Sequence, residues 1–321
     1  AAQLASALEV SGTPKPGNVH RNADFIDTRF EHYLAGSIAI GPYIRDVALK
    51  GIRAGLDRIK LNEIRIGKHI KEAIHEVKLW HKGGNTHLGI ILLFIPLAAS
   101  AGFMMAKFGK IEPDGLRSTL SKIIKATTFQ DAIDVCDAIL ESSASALGRL
   151  EAKATLDLMN IDIKRKIVEQ KLSLYELMKV SSEWDNVAKE LTTGMKISFN
   201  LGYKTLLDVY EKTGDINIAT VHTFLTILAK YPDTLIARKA GLKHTQDIRE
   251  AVKIGLIEAK KFSRKAERIL RLGGLISMNG KRALNRFDKK LRDPKNKFNP
   301  GTTADIVASS LMIAILCGMR I

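Results

Sequence analysis

Three short loops in this chain combine glycine or proline with small polar side chains and open onto an apolar helix: residues 14–18, 83–87 and 299–305. The first holds Lys15 between two prolines, which restrict the backbone on both sides and fix where the ammonium points; Arg21 follows it. The second presents Gly84, Asn85, Thr86 and His87, and the third Thr302 and Asp305. A further turn, Tyr231-Pro232-Asp233, enters a short helix bearing Arg238 and Lys239. Cations, an amide, an imidazole and unpaired N–H groups at the positive end of a helix are groups that hold anionic ligands. Each loop taken singly is also an ordinary helix N-cap. Taken together, their composition points to polar groups converging at the mouth of a helical bundle. Glu9, one turn before the Pro-Lys-Pro loop in an apolar helix, is either a site carboxylate or a salt-bridge partner of Lys15.

The second loop runs into the most apolar stretch of the protein. Residues 88–106 contain no charged side chain, and Ser100 is the only polar one. Such a run is long enough for a membrane span. Pro96, the small residues 98–102 and the lack of a second comparable segment favour instead a central helix surrounded on all sides, kinked at Pro96.

Elsewhere nearly every segment has helical period, and alternating strands are absent. Helices are expected over residues 1–12, 28–53, 62–80, 116–126, 129–149, 151–159, 161–180, 183–212, 217–231, 244–271 and 279–291. A polar linker over 293–298 then leads to an apolar terminal helix ending near Cys317. With no fixed-period repeat and no long linker, the expected architecture is one all-α domain over residues 1–321, a multi-helical bundle around the central apolar helix.

The formal net charge of +16 biases the protein towards polyanionic partners. Residues 260–297 carry 14 basic side chains against three acidic ones, which reads as a solvated basic face or a nucleic-acid contact; the sparse aromatics there do not make a base-stacking platform. Cys136 and Cys317 lie far apart in apolar helical contexts, as expected for free thiols in a reducing cytoplasm. The opening AAQLASALEV has no basic flank, so a signal peptide is not expected. His69, His75, His81 and His87 share no helix face, which argues against zinc. Asp131, Asp134 and Asp137 do share one, and form either a Mg²⁺ site or a solvated face. Walker A, Rossmann and nucleophile-elbow patterns are absent.

Glu9-Val10 with Thr13-Pro14-Lys15-Pro16-Gly17, then Gly84-Asn85-Thr86-His87, Pro232-Asp233-Thr234 with Arg238-Lys239-Ala240-Gly241, and Asn299-Pro300-Gly301 with Ala304-Asp305 resemble the triphosphoribosyl-dephospho-CoA synthase family, in order and over nearly the whole chain. The resemblance implies an all-α transferase that moves the triphosphoribosyl part of ATP to a hydroxyl of dephospho-CoA, or of a related cofactor precursor, with release of adenine. It further implies that Glu9, Asp233 and Asp305 are the carboxylates near the anomeric carbon, one stabilising positive charge and another accepting the hydroxyl proton. Lys15, Arg21, Arg238 and Lys239 would hold the phosphates; Gly84, Asn85, Thr86, His87 and Thr302 would complete the nucleotide site, with Mg²⁺ on the triphosphate. Where the family reads Pro-Lys-Pro-Gly-Leu-Val-Asp this chain has Asn18 and His20, and where a lysine follows Asn-Thr-His it has Leu88. The competing expectation, from charge alone, is a non-catalytic nucleotide- or RNA-binding helical protein.

Overall fold

The computed structural model describes residues 1–143, 163–292 and 298–321, and every regular element among them is helical. α1 (Ala2–Ser11) stops at Gly12 and releases the chain into the Pro-Lys-Pro loop. α2 (Phe30–Ala39) and α3 (Gly41–Gly55) divide the stretch expected as one helix over 28–53. The break falls at Ile40 because Pro42 has no N–H to continue the helix and suits the first turn of a new one. A 3-10 turn (Leu61–Ile64) precedes α4 (Ile66–Trp80), and α5 (Leu88–Phe108) is the apolar helix.

α6 (Pro113–Lys125), α7 (Phe129–Ser143), α8 (Ile163–Glu169), α9 (Leu174–Ser181) and α10 (Asn186–Thr192) follow. The chain continues through a π-helical turn (Ser198–Tyr203), α11 (Lys204–Thr213), α12 (Ile216–Lys230), α13 (Thr234–Gly241), α14 (Ile248–Arg271), α15 (Met278–Leu291) and α16 (Gly301–Leu316). The helix expected over 151–159, the adjoining ends of those over 129–149 and 161–180, and most of the linker over 293–298 lie outside the described residues.

One expected helix is broken for a clear reason. Instead of running through 183–212, the chain reverses at Gly194 and Met195, both at positive φ. There the buried Glu190 carboxylate accepts the backbone N–H groups of Ile197 and Ser198, each at 2.7 Å, and so caps the next helical segment. Four later helix starts follow local signals: Asp185, Asp215, Asp233 and Asp247 each accept two N–H groups of the first turn of the helix that follows.

α5 is long and apolar enough to cross a membrane by length and composition, yet 78% of its apolar window is buried inside the fold. It is buried continuously from Ile90 to Gly102, against α3, α4, α6 and α16. The helix runs unbroken past Pro96. Its closest neighbour is α3: a Cβ at Gly51 would stand 2.0 Å from Ala99 O, and one at Gly102 would stand 2.1 Å from Ala48 O. The helices approach this closely because at each contact a glycine of one faces the backbone of the other. Buried apolar residues from Ala2 in α1 to Ala314 in α16 form one contiguous cluster around this pair.

Candidate active site

The N-terminal end of α5 opens into a cavity of about 220 Å³. Asn85 caps the helix, its Oδ1 accepting Leu88 N–H at 3.1 Å, and Asn85, Thr86, Leu88 and Gly89 form one wall. α1 contributes Glu9 and α2 contributes Tyr33. Gly301, Thr302 and Asp305 come from the start of α16, and Arg238 from α13. Ile139, Leu177, Met178, Trp184 and Leu235 give the cavity a largely apolar side, with Asp185 at its edge.

Two carboxylates dominate the polar side. Asp305 reaches the first turn of α5, where a Cβ at Gly89 would stand 2.0 Å from its Oδ2. Burial, followed by the charges of Glu9, Asp233 and Asp185, raises its pKa well above the ordinary carboxylate range. Glu9 is buried and ion-paired with Lys15, which is itself fully buried. Burial raises the Glu9 pKa and lowers that of Lys15, while the charge of each opposes the change in the other. Tyr33 faces the same group, and burial together with Glu9, Asp305 and Asp27 holds its phenol above the usual value.

The residues singled out in the sequence therefore separate. Glu9, Asn85, Thr86, Arg238, Thr302 and Asp305 line the cavity together. Lys15 lies beneath Glu9 with its ammonium engaged there, not among the lining side chains. Arg21 is exposed on the far side of its loop, its Nε donating to Ser11 O at 2.6 Å. His87 turns away from the cavity into the seam between α1 and α2, with Ser6 Oγ at 3.1 Å and Thr86 Oγ1 at 2.7 Å on its two ring nitrogens. Burial, then the neighbouring His81, lowers its pKa to about 3, so it is neutral and structural. Gly84 lies in the adjoining loop, outside the lining set.

Asp233 is fully buried behind the wall. Its Oδ1 accepts Leu235 and Ile236 N–H, and its Oδ2 accepts Thr303 N–H at 2.7 Å and Thr303 Oγ1 at 2.8 Å. All its acceptor capacity is used in joining α13 to α16. Lys239, part-buried next to Arg238, is also absent from the lining; burial and Arg238 lower its pKa against the pull of Asp233 and Asp27.

Most of the cavity's apolar lining was not in the sequence-derived set, nor were several of its polar and aromatic residues, among them Asn18, Tyr33, Trp184, Asp185 and Asn299. Asn18 and Asn299 stand inside loops already singled out, so their loops were the available signal. Asn18 Nδ2, Asn299 Oδ1 and Arg238 Nε are buried without a hydrogen-bond partner. Native proteins rarely leave buried polar atoms so, and unpaired ones at a cavity wall mark where a ligand's polar atoms belong.

His20 hydrogen-bonds Asp288 Oδ2 of α15 at 3.2 Å, while Asp288 Oδ1 accepts Gly17 N–H at 3.1 Å and Arg292 Nη2 at 2.8 Å. An acid from a distant helix thus braces the Pro-Lys-Pro-Gly loop. The other basic side chains of α14 and α15 in this stretch are exposed, while Phe262 stacks on Phe287 and lies tilted against the half-buried Phe298. Residues 293–297 of that stretch lie outside the described residues. The aspartates of α7 are individually engaged, and among the described residues no group of three or more His, Cys, Asp or Glu is arranged to hold a metal ion.

The model of the CitG family, described as ATP:dephospho-CoA triphosphoribosyl transferase, matches residues 1–320. The chain belongs to this transferase family. The 2-(5''-triphosphoribosyl)-3'-dephosphocoenzyme-A synthase of Klebsiella pneumoniae is 23% identical over 313 residues, covering 96% of this chain and 87% of that protein. A provisionally assigned synthase of the same name from Vibrio cholerae is 23% identical over 314 residues, covering 96% and 84%. The crystal structure of a provisionally assigned triphosphoribosyl-dephospho-CoA synthase from Archaeoglobus fulgidus superimposes with a TM-score of 0.62 at 25% identity, over 89% of this chain and all of that one. None of these findings favours a non-catalytic binding protein.

Proposed function

We propose that this chain, acting as one domain, transfers the triphosphoribosyl group of ATP to a hydroxyl of dephospho-CoA and releases adenine, with the cavity at the N-terminus of α5 as the reaction site. The observation that carries this reading is the meeting of Glu9 and Asp305 in one cavity that also holds Arg238 with an unpaired buried Nε.

Breaking the bond between the anomeric carbon and the base leaves positive charge on the ribose, and a nearby carboxylate stabilises it. Glu9, fixed by Lys15, suits that task because its partner holds both its position and its charge. Asp305, which unlike Glu9 has no ion-pair partner among the described residues, is the group free to accept a proton when it is ionised. The acceptor hydroxyl attacks the anomeric carbon and gives its proton to Asp305; the bonding pair of the broken C–N bond leaves with adenine, which takes up a proton. Arg238 binds phosphate, and the apolar side of the cavity accommodates the flat bases. Lys15 supports Glu9 and does not contact phosphate; Asp233 holds the two helices in place. Mg²⁺ would enter as part of the ATP complex, bound to the triphosphate. The two free thiols, pushed up to about 12 at Cys136 and about 11 at Cys317 by burial, suit a reducing cytoplasm.

Incubation with ATP, Mg²⁺ and dephospho-CoA should release adenine in step with a triphosphoribosylated product. Absence of both, with protein that melts cooperatively, overturns the assignment.

A further inference from the structure

We propose that the turn between α14 and α15 docks on an anionic lipid surface, with Leu272, Ile276 and Met278 entering the apolar layer and the surrounding cations meeting headgroup phosphates. Phe262 of α14 stacks on Phe287 of α15 at 6.2 Å, so the two helices fold back on each other about residues 272–277. Three large aliphatic side chains stand out at this tip: Leu272 is 40% exposed, Ile276 59% and Met278 64%. Their exposure is built into the backbone. Leu275 is buried, and its N–H donates to His222 Nε2 at 3.0 Å. Gly274 N–H donates to Ile269 O at 3.0 Å, and Ser277 Oγ donates to Leu272 O while accepting Gly280 N–H at 2.9 Å. Gly274 has a φ of +54°, and a Cβ there would stand 2.4 Å from His222 Nε2. A turn pinned in this way keeps its remaining apolar side chains outside the core.

Cations surround the tip. Arg268 and Arg271 close α14, and Lys281 and Arg282 stand in the first turns of α15. All four are exposed, and among the described residues only Arg271 has an acidic partner, Glu267. Arg264, Lys265, Lys289 and Lys290 extend the positive face along both helices. Aliphatic side chains ringed by Lys and Arg are what seats a segment in the interface of an anionic bilayer. Other occupants fit less well. A second copy docked tip to tip sets one ring of cations against another. A nucleic acid takes the cations but offers no apolar layer, and residues 268–282 contain no aromatic side chain for its bases to stack on. α14 is 24 residues long and starts at Ile248 in the cavity wall, so the tip lies about 35 Å from the reaction site along that helix.

Sedimentation of the intact protein with vesicles of phosphatidylcholine alone, or of phosphatidylcholine and phosphatidylglycerol in equal parts, tests the assignment. The wild type should bind the mixed vesicles about ten-fold or more tightly than the neutral ones, and less so as salt is added. Ile276→Ser combined with Met278→Ser should weaken that binding about ten-fold, with adenine release and the melting midpoint as in wild type. Arg268→Gln, Lys281→Gln and Arg282→Gln should each weaken it about five-fold, the equivalent of about 1 kcal/mol per cation at an anionic surface. Wild-type protein that does not sediment with the mixed vesicles overturns the proposal, as does undiminished binding by the double serine variant. Self-association of the wild type that the two serines abolish makes the tip a contact between copies instead. Tighter binding to single-stranded RNA than to the mixed vesicles, unaffected by the two serines, assigns the basic face to nucleic acid and likewise overturns it.

Discussion

Along the seam between α4 and α7, the acids of α7 all face donors. Asp131 accepts Gly67 N–H at 2.9 Å and Thr128 N–H at 2.8 Å, Asp134 lies 3.2 Å from Arg65 Nη2, and Asp137 takes Lys71 at 2.8 Å together with Lys164 of α8. At the mouth of α5, Glu9 is ion-paired with a buried lysine and Asp185 caps α10, but both also place their charge on Asp305, in a cavity where one arginine holds an unpaired nitrogen. In sequence the seam looked the more regular arrangement, with its i, i+3, i+6 aspartates. The difference teaches that acidic residues spaced on one helix face serve packing when the facing helix supplies cations and N–H groups. Acids brought from three separate helices into one space, against their own repulsion, are the ones that a ligand must complete.

The sharpest way to break this contrast is by activity. Asp305→Asn and Glu9→Gln should each lower adenine release by about 10²-fold or more, as removal of a charge-stabilising or proton-transferring group does, while Asp134→Asn leaves turnover unchanged. Equal loss in all three would erase the distinction. Asp233 sharpens it from the side, because it sits beside the cavity yet is fully hydrogen-bonded like the seam acids. Asp233→Ala should cost roughly 3 kcal/mol of stability through a lost cap and an unpaired Thr303 N–H, read as a lower midpoint in urea. A collapse of turnover in Asp233→Ala protein of unchanged stability would move that residue into the chemistry.

The smallest effect is the response to pH. Burial pulls Asp137 upwards, but hydrogen bonds from Lys164 and Lys71 outweigh it and hold the carboxyl below its usual range. Its contribution is therefore present above the unfolded value of about 4 and is lost as pH falls through the lower folded value. Asp305 has the opposite shift, so the folded state keeps a proton that the unfolded chain has released, and this group costs stability increasingly as pH rises above about 4. Thermal melts across pH should show Asp137→Asn less stable than wild type at neutral pH, by about 1 kcal/mol or less, and equal to it in strong acid. Asp305→Asn should be at least as stable as wild type at neutral pH, the gain vanishing in acid. Parallel curves for the two variants would contradict the contrast.

Much of the helical framework was legible because its signals are local. Asp, Ser and Pro at helix starts, and Gly109 and Gly214 in the left-handed region at helix ends, act on N–H and carbonyl groups within a turn of themselves. The breaks at Ile40 and Gly194 were less legible: Pro42 is a local signal for the first, while the second depends on Glu190 reaching forward to cap Ile197 and Ser198. The loops that build the cavity were also found, since Gly, Pro and small polar residues opening onto apolar helices are visible by type.

By itself the sequence thus determined the all-α class, the buried apolar helix, the loops around its mouth and the family pattern running through them. Only the tertiary structure decided which side chains in those loops meet. Asn85 and His87 are two residues apart, yet one lines the cavity while the other is a neutral imidazole buried between Ser6 and Thr86. Lys15 and Arg21 are both cations of one loop, yet one is buried under Glu9 and the other lies on the surface. Residue type sets what a side chain can bond to, but its direction follows from which distant helix packs against it, and those contacts are fixed by burial over the whole core and not by neighbours in the chain.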